Sequence, residues 1–411
     1  MQIADSTMTK QDFISIQDAI DMGAGKVKLR GWAYRERKSN KLAFIVLRDG
    51  TNIIQCVIDK EAVPDKVWKA AEDTTLESSL VVEGEIAKDD RAPTGYEVRV
   101  SDLHLVHKAE RFPITKDKST EFLLDQRHLW IRSRELTAVW KVKAAILRAS
   151  REFFDKEKYV EVTPPIITGS SCEGGSTLFE LKYFQDKAFL SQSAQLYLEA
   201  LIFSLGKVWA LTPSFRAEPS KTNKHLTEYW HLEMETAWMS FEELLSFEER
   251  MISHICQRVA VECGNELKIL GRDPAVLLKV KVPFPRMTYD DAIKQLHAKG
   301  VKIPWGKDLR TVEEEVLTKG LDKPLIVTRY PKEVKAFYMK EDPENPKVVL
   351  CCDVLAPDGY GELIGSSERE VDIDELIRKL KAQGEKVEHY QWYLDLRRFG
   401  SVPHSGFGLG I

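Results

Sequence analysis

The 411-residue sequence holds no apolar run approaching the roughly 20 residues that a membrane-spanning helix needs. Met1 to Lys10 show no apolar segment flanked by basic residues, so no secretory leader is predicted. The six cysteines (Cys56, Cys172, Cys256, Cys263, Cys351 and Cys352) form no CxxC pair and no ligand ladder with histidine. That spacing argues against structural zinc, and in a chain this long it argues against a disulfide framework. Neither sign of charge predominates. A net charge of −4 excludes indiscriminate coating of nucleic acid, which needs broad phosphate neutralisation, but leaves room for a local basic face. There is no internal repeat and no low-complexity tract. What remains is an ordinary soluble composition, 43% hydrophobic and 30% charged, long enough for two or three domains. The expected setting is cytoplasmic, reduced and free of membrane.

Residues 1–24 read as an N-terminal extension whose apolar residues, from Phe13 to Met22, make a weak helical stripe ending at Gly23 and Gly25. Five short strands then follow at Val27–Arg37, Ala43–Asp49, Ile53–Ile58, Ser79–Ile86 and Tyr96–His104. They are rich in β-branched and aromatic residues and separated by turn signals such as Asp49-Gly50. A helix is expected at Asp65–Thr75, between the third and fourth strands. Five strands with one helix in that place is the arrangement of an OB barrel, here residues 25–108.

Residues 109–132 read as a charged linker. From 133 to 411 the pattern is helices beside a mostly antiparallel sheet, so the fold class as a whole is α+β. A long helix spans Ser133–Tyr159, where Val142, Ile146, Ala149 and Phe153 recur at helical spacing. Strands are expected at 159–163, 178–190, 207–238, 324–328, 336–339 and 348–355, with helices at 241–267 and 288–299.

Residues 207–238 are the most informative stretch. Trp209, Leu211 and Phe215 share one strand parity, and Arg216 and Glu218 share the other. On the return strand Trp230, Leu232 and Met234 point one way, while Tyr229, His231, Glu233 and Glu235 point the other. Between them a polar loop carries Lys221, Lys224 and His225. An apolar back and a face of arginine, aromatic and carboxylates can serve a charged ligand; by pattern alone it can equally be an amphipathic hairpin with a solvated face.

Phe215-Arg216-Ala217-Glu218, a short loop, and His225-Leu226-Thr227-Glu228-Tyr229 together resemble motif 2 of the class II aminoacyl-tRNA synthetases. The helix at 133–158, leading to a strand ending at Pro164, resembles motif 1, the dimer-forming element. Pro403-His404-Ser405-Gly406-Phe407-Gly408-Leu409-Gly410 resembles the opening of motif 3. Leu42-Ala43-Phe44 and Ile54-Gln55 stand where the aspartate–asparagine–lysine subgroup reads the anticodon.

The resemblance implies ATP-dependent formation of an aminoacyl adenylate and its transfer to tRNA by a homodimer. In that chemistry a carboxylate attacks an α-phosphate, so fixed cations must offset the repulsion of two anions. Arg216 would bridge the amino-acid carboxylate and the α-phosphate, Glu218 would accept from the adenine amino group, and Tyr229 would stack on adenine. His225 would approach the γ-phosphate, and Glu362 would hold Mg2+, a hard ion suited to a carboxylate. Glu173 would hold the substrate α-ammonium. Phe44 would stack on an anticodon base and Gln55 would read a base edge, with Phe44 as plain core packing the alternative.

Substrate choice rests on Gln192 to Glu199. Aspartate enzymes of the subgroup carry a lysine three residues after the second glutamine, here Gln195, whereas this chain has Leu198 followed by Glu199. A carboxylate repels aspartate and accepts from a carboxamide, so Glu199 with Arg369 is expected to clamp asparagine, with tRNA(Asn) as partner. The alternative is Glu199 as a solvated helix residue. The chain stops at Ile411, where the family pattern continues into a Glu-Arg pair and a helix, which points to a fragment or to a paralogue with altered chemistry. Asn223, Lys224 and Glu368 also depart from the usual residues. Two rivals stay open: an aspartyl enzyme that also charges tRNA(Asn), and a non-catalytic RNA-binding paralogue.

Overall fold

A computed structural model of the chain describes residues 13–115, 118–169, 178–218 and 226–411. Two compact units divide at residues 131 and 132. In the first, β1 (Gly25–Lys38), β2 (Leu42–Arg48), β3 (Ile53–Asp59), β4 (Ser79–Lys88) and β5 (Tyr96–His107) close into a barrel in the order β1-β2-β3-β5-β4. Closure follows from the length of β1: one half pairs with β4 and the other with β2, and a bulge between Ala33 and Arg35 bends the strand between them. Alternation sends Val27, Leu29, Ile45, Leu47, Ile54, Cys56, Val82 and Val98 into the core. Helices α1 (Ile16–Met22) and α2 (Asp65–Asp73) add Ile16, Ala19, Val67 and Trp68 to that core.

The outer face of the barrel is set by register. Arg37, Phe44, Val57 and Arg99 stand directly opposite one another across β1, β2, β3 and β5, and the next row is Arg35, Val46, Gln55 and Glu97. Phe44 is half-buried on this face, so its ring is not part of the barrel core. The Gln55 side-chain amide donates to Glu97 at 3.2 Å, which fixes its orientation.

In the second unit, α3 (Arg134–Lys156) is capped by the Ser133 hydroxyl, which accepts from Leu136 N. It leads to the short strand β6 (Val160–Glu161), cut short because Pro164 and Pro165 cannot continue a ladder. An eight-stranded sheet continues with β7 (Lys207–Phe215), β8 (Glu228–Ala237), β9 (Arg286–Thr288), β10 (Leu325–Thr328), β11 (Cys351–Ala356), β12 (Gly361–Glu368) and β13 (His404–Gly410). Its order is β9-β10-β11-β12-β13-β8-β7-β6, antiparallel except for one parallel pair at each edge.

Besides α3, helices α4 (Gln195–Leu205), α5 (Phe241–Glu262), α6 (Tyr289–Ala298), α7 (Thr311–Thr318), α8 (Ile373–Ala382) and α9 (Gln391–Arg398) belong to this unit. The helix α5 packs on the sheet. Its capping box at Ser240 and Glu243 starts it, and Leu244, Phe247 and Met251 meet Trp209, Leu232, Met234 and Phe407. Phe154 of α3 stacks on Trp209 at 4.5 Å.

Three expectations change. The helix foreseen at 241–267 breaks at Cys263, with a new turn starting at Gly264, a weak helix residue. The strand foreseen at 336–339 is absent: only Met339 bridges, to Arg369, while Phe337 and Tyr338 are buried against α8 and α9. The linker holds a short helix, Thr120–Asp125, capped by Ser119.

Candidate active site

The hairpin of β7 and β8 aligns Phe215 with Glu228 and Ser214 with Tyr229, so the residues just beyond β7 emerge beside the start of β8. The Arg216 amide donates to Thr227 O at 3.0 Å, and its guanidinium lies 5.7 Å from the Tyr229 ring centre. On the other side of β8 runs β13, pairing Gly410 with His231, Gly408 with Glu233 and Gly406 with Glu235. The absent side chains matter at two of these glycines. A Cβ at Gly408 would collide with the His231 imidazole, and one at Gly406 would collide with the Glu235 carboxylate. The glycine strand therefore forms a floor on which the polar side chains of β8 lie flat.

Over this floor is a cavity of about 720 Å³. Arg216, Glu218, Tyr229, His231 and Glu362 all line it, with Gly408 and Gly410 below and Arg310, Glu314 and Tyr360 on the far wall. The structure thus brings together four of the residues singled out in sequence, from three separate segments. Glu362 is open to the cavity yet surrounded by protein. Neighbouring Asp353, then burial, push its carboxyl up to about 8 against the pull of Lys335. Asp353 itself is gripped by the Lys335 ammonium at 2.8 and 3.1 Å. His225 and Glu173, expected at the γ-phosphate and the α-ammonium, lie outside the described residues, as do Lys221 and Lys224.

Glu199 lies beside Arg369, the residue it was expected to accompany. It is not a solvated helix residue: its exposure is 0%. Its Oε2 accepts from Tyr393 Oη at 2.6 Å and Arg397 Nη2 at 2.7 Å, with His404 Nε2 at 3.0 Å. Its Oε1 accepts from Gln195 Nε2 at 3.1 Å. Burial opposes its charge, but Arg397, His404 and Arg369 more than offset that and hold the carboxyl well below the usual range. Its Oε2 is fully engaged by protein donors, while Oε1 accepts only from Gln195 and stands 3.9 Å from Arg369 Nε.

Arg369, also buried, donates from Nε to Glu235 Oε1 at 3.0 Å and from Nη1 to Ser367 Oγ at 2.8 Å. Glu235 keeps its other oxygen, Oε2, buried without a hydrogen-bond partner among the described residues. Burial lifts its carboxyl to about 8, with Arg369 opposing and Glu199 assisting the rise. Two places along β8 is Glu233, whose carboxylate accepts from the Ser193 hydroxyl and from Ala194 N at 2.8 Å. The sequence reading had placed Glu233 and Glu235 on the polar face of the hairpin without assigning them a role. Their alternation with Leu232 and Met234 was the available signal. No comparable signal marked Tyr393 or Arg397.

The geometry has counterparts among known proteins. Residues 119–411 match the model of the class II tRNA synthetases (D, K and N), and residues 27–106 match that of the OB-fold nucleic acid binding domain. The asparagine–tRNA ligase of Thermococcus kodakarensis is 51% identical over 392 residues, covering 95% of this chain and 91% of the relative. The chain belongs to the asparagine–tRNA ligase family of class II synthetases. Its solved relatives agree with that placement. Asparaginyl-tRNA synthetase from Pyrococcus horikoshii complexed with asparaginyl-adenylate superposes with a TM-score of 0.92 at 48% identity, covering 97% of this chain and 93% of that one. The Entamoeba histolytica enzyme in complex with asparaginyl-adenylate gives 0.86 at 34% identity, with the same two coverages. That placement favours the asparagine reading over the aspartyl one. Among the described residues, no helix of the synthetase is long and apolar enough to cross a membrane.

Proposed function

We propose that this synthetase activates asparagine at the cavity above β8 and β13 and transfers it to tRNA(Asn) read by the barrel. The observation that carries the reading is the convergence of Arg216, Glu218, Tyr229 and Glu362 on one cavity of about 720 Å³, a size suited to a nucleotide. Arg216, one edge of the cavity, bridges the substrate carboxylate and the α-phosphate, offsetting their mutual repulsion as the bond forms. Tyr229 stacks on adenine and Glu218 accepts from its amino group. His225 meets the γ-phosphate and Glu173 the α-ammonium.

Glu362 fits a divalent cation. Its proximity to Asp353 makes charge on both carboxylates costly, and a hard cation relieves that cost. Among the described residues no three acidic, histidine or cysteine side chains are grouped as a metal site, so phosphate and water oxygens would complete the shell of Mg2+. Bound there, Mg2+ supplies positive charge to the triphosphate.

At the other end of the substrate, Arg369 donates to the asparagine side-chain oxygen. Glu199, the expected acceptor for the amide nitrogen, has Glu235 as its neighbour across Arg369, and Glu235 Oε2 is buried with no hydrogen-bond partner among the described residues. Phe44 and Gln55, beside Arg35 and Arg37, take the anticodon bases. The motif 1 element, where Val139, Trp140 and Val160 are exposed, forms the homodimer. The deciding experiment is ATP–pyrophosphate exchange with Arg216→Ala: exchange is expected to fall at least a hundredfold. Unchanged exchange places the chemistry elsewhere.

A further inference from the structure

The helix α9 carries no residue of the three motifs, yet two of its side chains are among the most deeply buried polar groups in the chain. Arg397 and Tyr393 have side chains closed to solvent, and both reach Glu199. We propose that Arg397 and Tyr393 are positioning residues of the asparagine pocket, acting through Glu199 on Arg369. This rests on the reading of Arg369 as the anchor of the substrate side chain.

Two carboxylates flank Arg369: Glu235, bonded at Nε at 3.0 Å, and Glu199, whose Oε1 stands 3.9 Å from Nε. The first is a hydrogen bond and the second is too long to be one. A carboxylate this close in a dry interior is strongly attracted to a guanidinium unless another cation holds it. Arg397 is that cation. Its Nη2 takes Glu199 Oε2 at 2.7 Å, Tyr393 Oη takes the same oxygen at 2.6 Å, and Arg397 Nη2 also donates to Tyr393 Oη at 2.9 Å. The guanidinium lies 4.2 Å from the Tyr393 ring centre, which adds a cation–π contact. Glu199 is thereby turned toward α9 and away from Arg369.

A second contact ties α9 to the same wall. Arg397 Nε donates to the carbonyl of Glu370, the residue after Arg369, at 3.1 Å. On the other side, Arg369 N donates to His404 O at 2.9 Å. The backbone around Arg369 is thus held by Arg397 and by β13 together. With Glu199 restrained, the N–H groups of Arg369 not given to Glu235 and Ser367 stay available for a carboxamide oxygen. Were Glu199 released, its carboxylate would compete for those donors, and asparagine would bind less tightly.

This predicts a split that a merely structural role does not produce. In ATP–pyrophosphate exchange, Tyr393→Phe removes one hydrogen bond to Glu199 and is expected to raise KM for asparagine about fivefold. Arg397→Met removes the counter-charge and is expected to raise it at least tenfold. Neither should move KM for ATP by more than about twofold, since no part of α9 lines the nucleotide cavity. Arg397→Lys keeps the charge and should restore part of the loss. Thermal unfolding of each variant reports folding, and Tyr393→Phe serves the test alone if Arg397→Met does not fold. Equal increases in both KM values, or an unchanged KM for asparagine in folded variants, overturn the proposal. Arg369→Lys separates the two layers. If it raises KM for asparagine while the α9 variants do not, only the positioning role fails. If it too leaves KM unchanged, the anchor reading fails, and the positioning role with it.

Discussion

Glu248 offers a test of the catalytic unit's interior that is independent of catalysis. It sits on α5 facing the sheet, fully buried, with Oε2 3.3 Å from Cys352 Sγ and Oε1 without a hydrogen-bond partner among the described residues. Cys352 Sγ is in turn 3.0 Å from Ser366 Oγ. Burial pushes the Glu248 carboxyl from 4.5 up to about 7, with Ser366, Cys352 and Arg286 only partly opposing it. Between about pH 4.5 and 7 the folded protein keeps a proton that the unfolded chain has released. Folding stability from this group is therefore greatest at and below the lower pH, falls as pH rises through the window, and is flat above it. Each tenfold change in proton affinity is worth about 1.4 kcal/mol, so ionising Glu248 in the fold costs about 3 kcal/mol. Glu248→Gln removes the charge while keeping the shape. Urea unfolding of wild type and variant at intervals from pH 5 to 8.5 should give curves that diverge upward in pH. The variant should be ahead by up to about 3 kcal/mol at pH 8 and nearly level at pH 5. A difference independent of pH refutes the reasoning, because it would mean that Glu248 is ionised in both states throughout.

Other outcomes follow from named contacts. Glu199→Gln leaves Arg397 as an uncompensated buried cation and should destabilise the catalytic unit by about 3 kcal/mol; thermal unfolding checks this, and a loss below 1 kcal/mol would mean the network carries little. Gly408→Ala drives a Cβ into the His231 imidazole and should cost about 1–3 kcal/mol of stability while raising KM for ATP, read by calorimetry and exchange assays. Phe44→Ala should weaken tRNA(Asn) binding by about 1–3 kcal/mol with adenylate formation unchanged, since its ring lies on the outer barrel face; equal losses in both assays would assign Phe44 a folding role.

The parts of this protein legible in sequence were those with a short period or a local signature. Alternation over 25–107 gave all five barrel strands to within a few residues, and the polar parity of Tyr229, His231, Glu233 and Glu235 held in the structure because β8 is regular from Glu228 to Ala237. Glu362 and Arg216, far apart in sequence, share one cavity as the resemblance implied. Glu199 shows the limit. Its importance was visible, but its partners were not, because Tyr393, Arg397 and His404 lie some two hundred residues away and reach it only through tertiary packing. A lone arginine and tyrosine on an amphipathic helix look like surface residues until burial is known. The strand foreseen at 336–339 failed similarly: its aromatics fit a strand by propensity, but they fill a pocket between helices instead.

Selection of asparagine and its activation at the β8–β13 floor are what the proposed function requires above all. ATP–pyrophosphate exchange measured side by side with asparagine and aspartate tests it most directly. Exchange is expected to depend on asparagine, with aspartate at least a hundredfold poorer in kcat/KM and the preference reduced by Arg369→Lys. Equal or faster exchange with aspartate would contradict it.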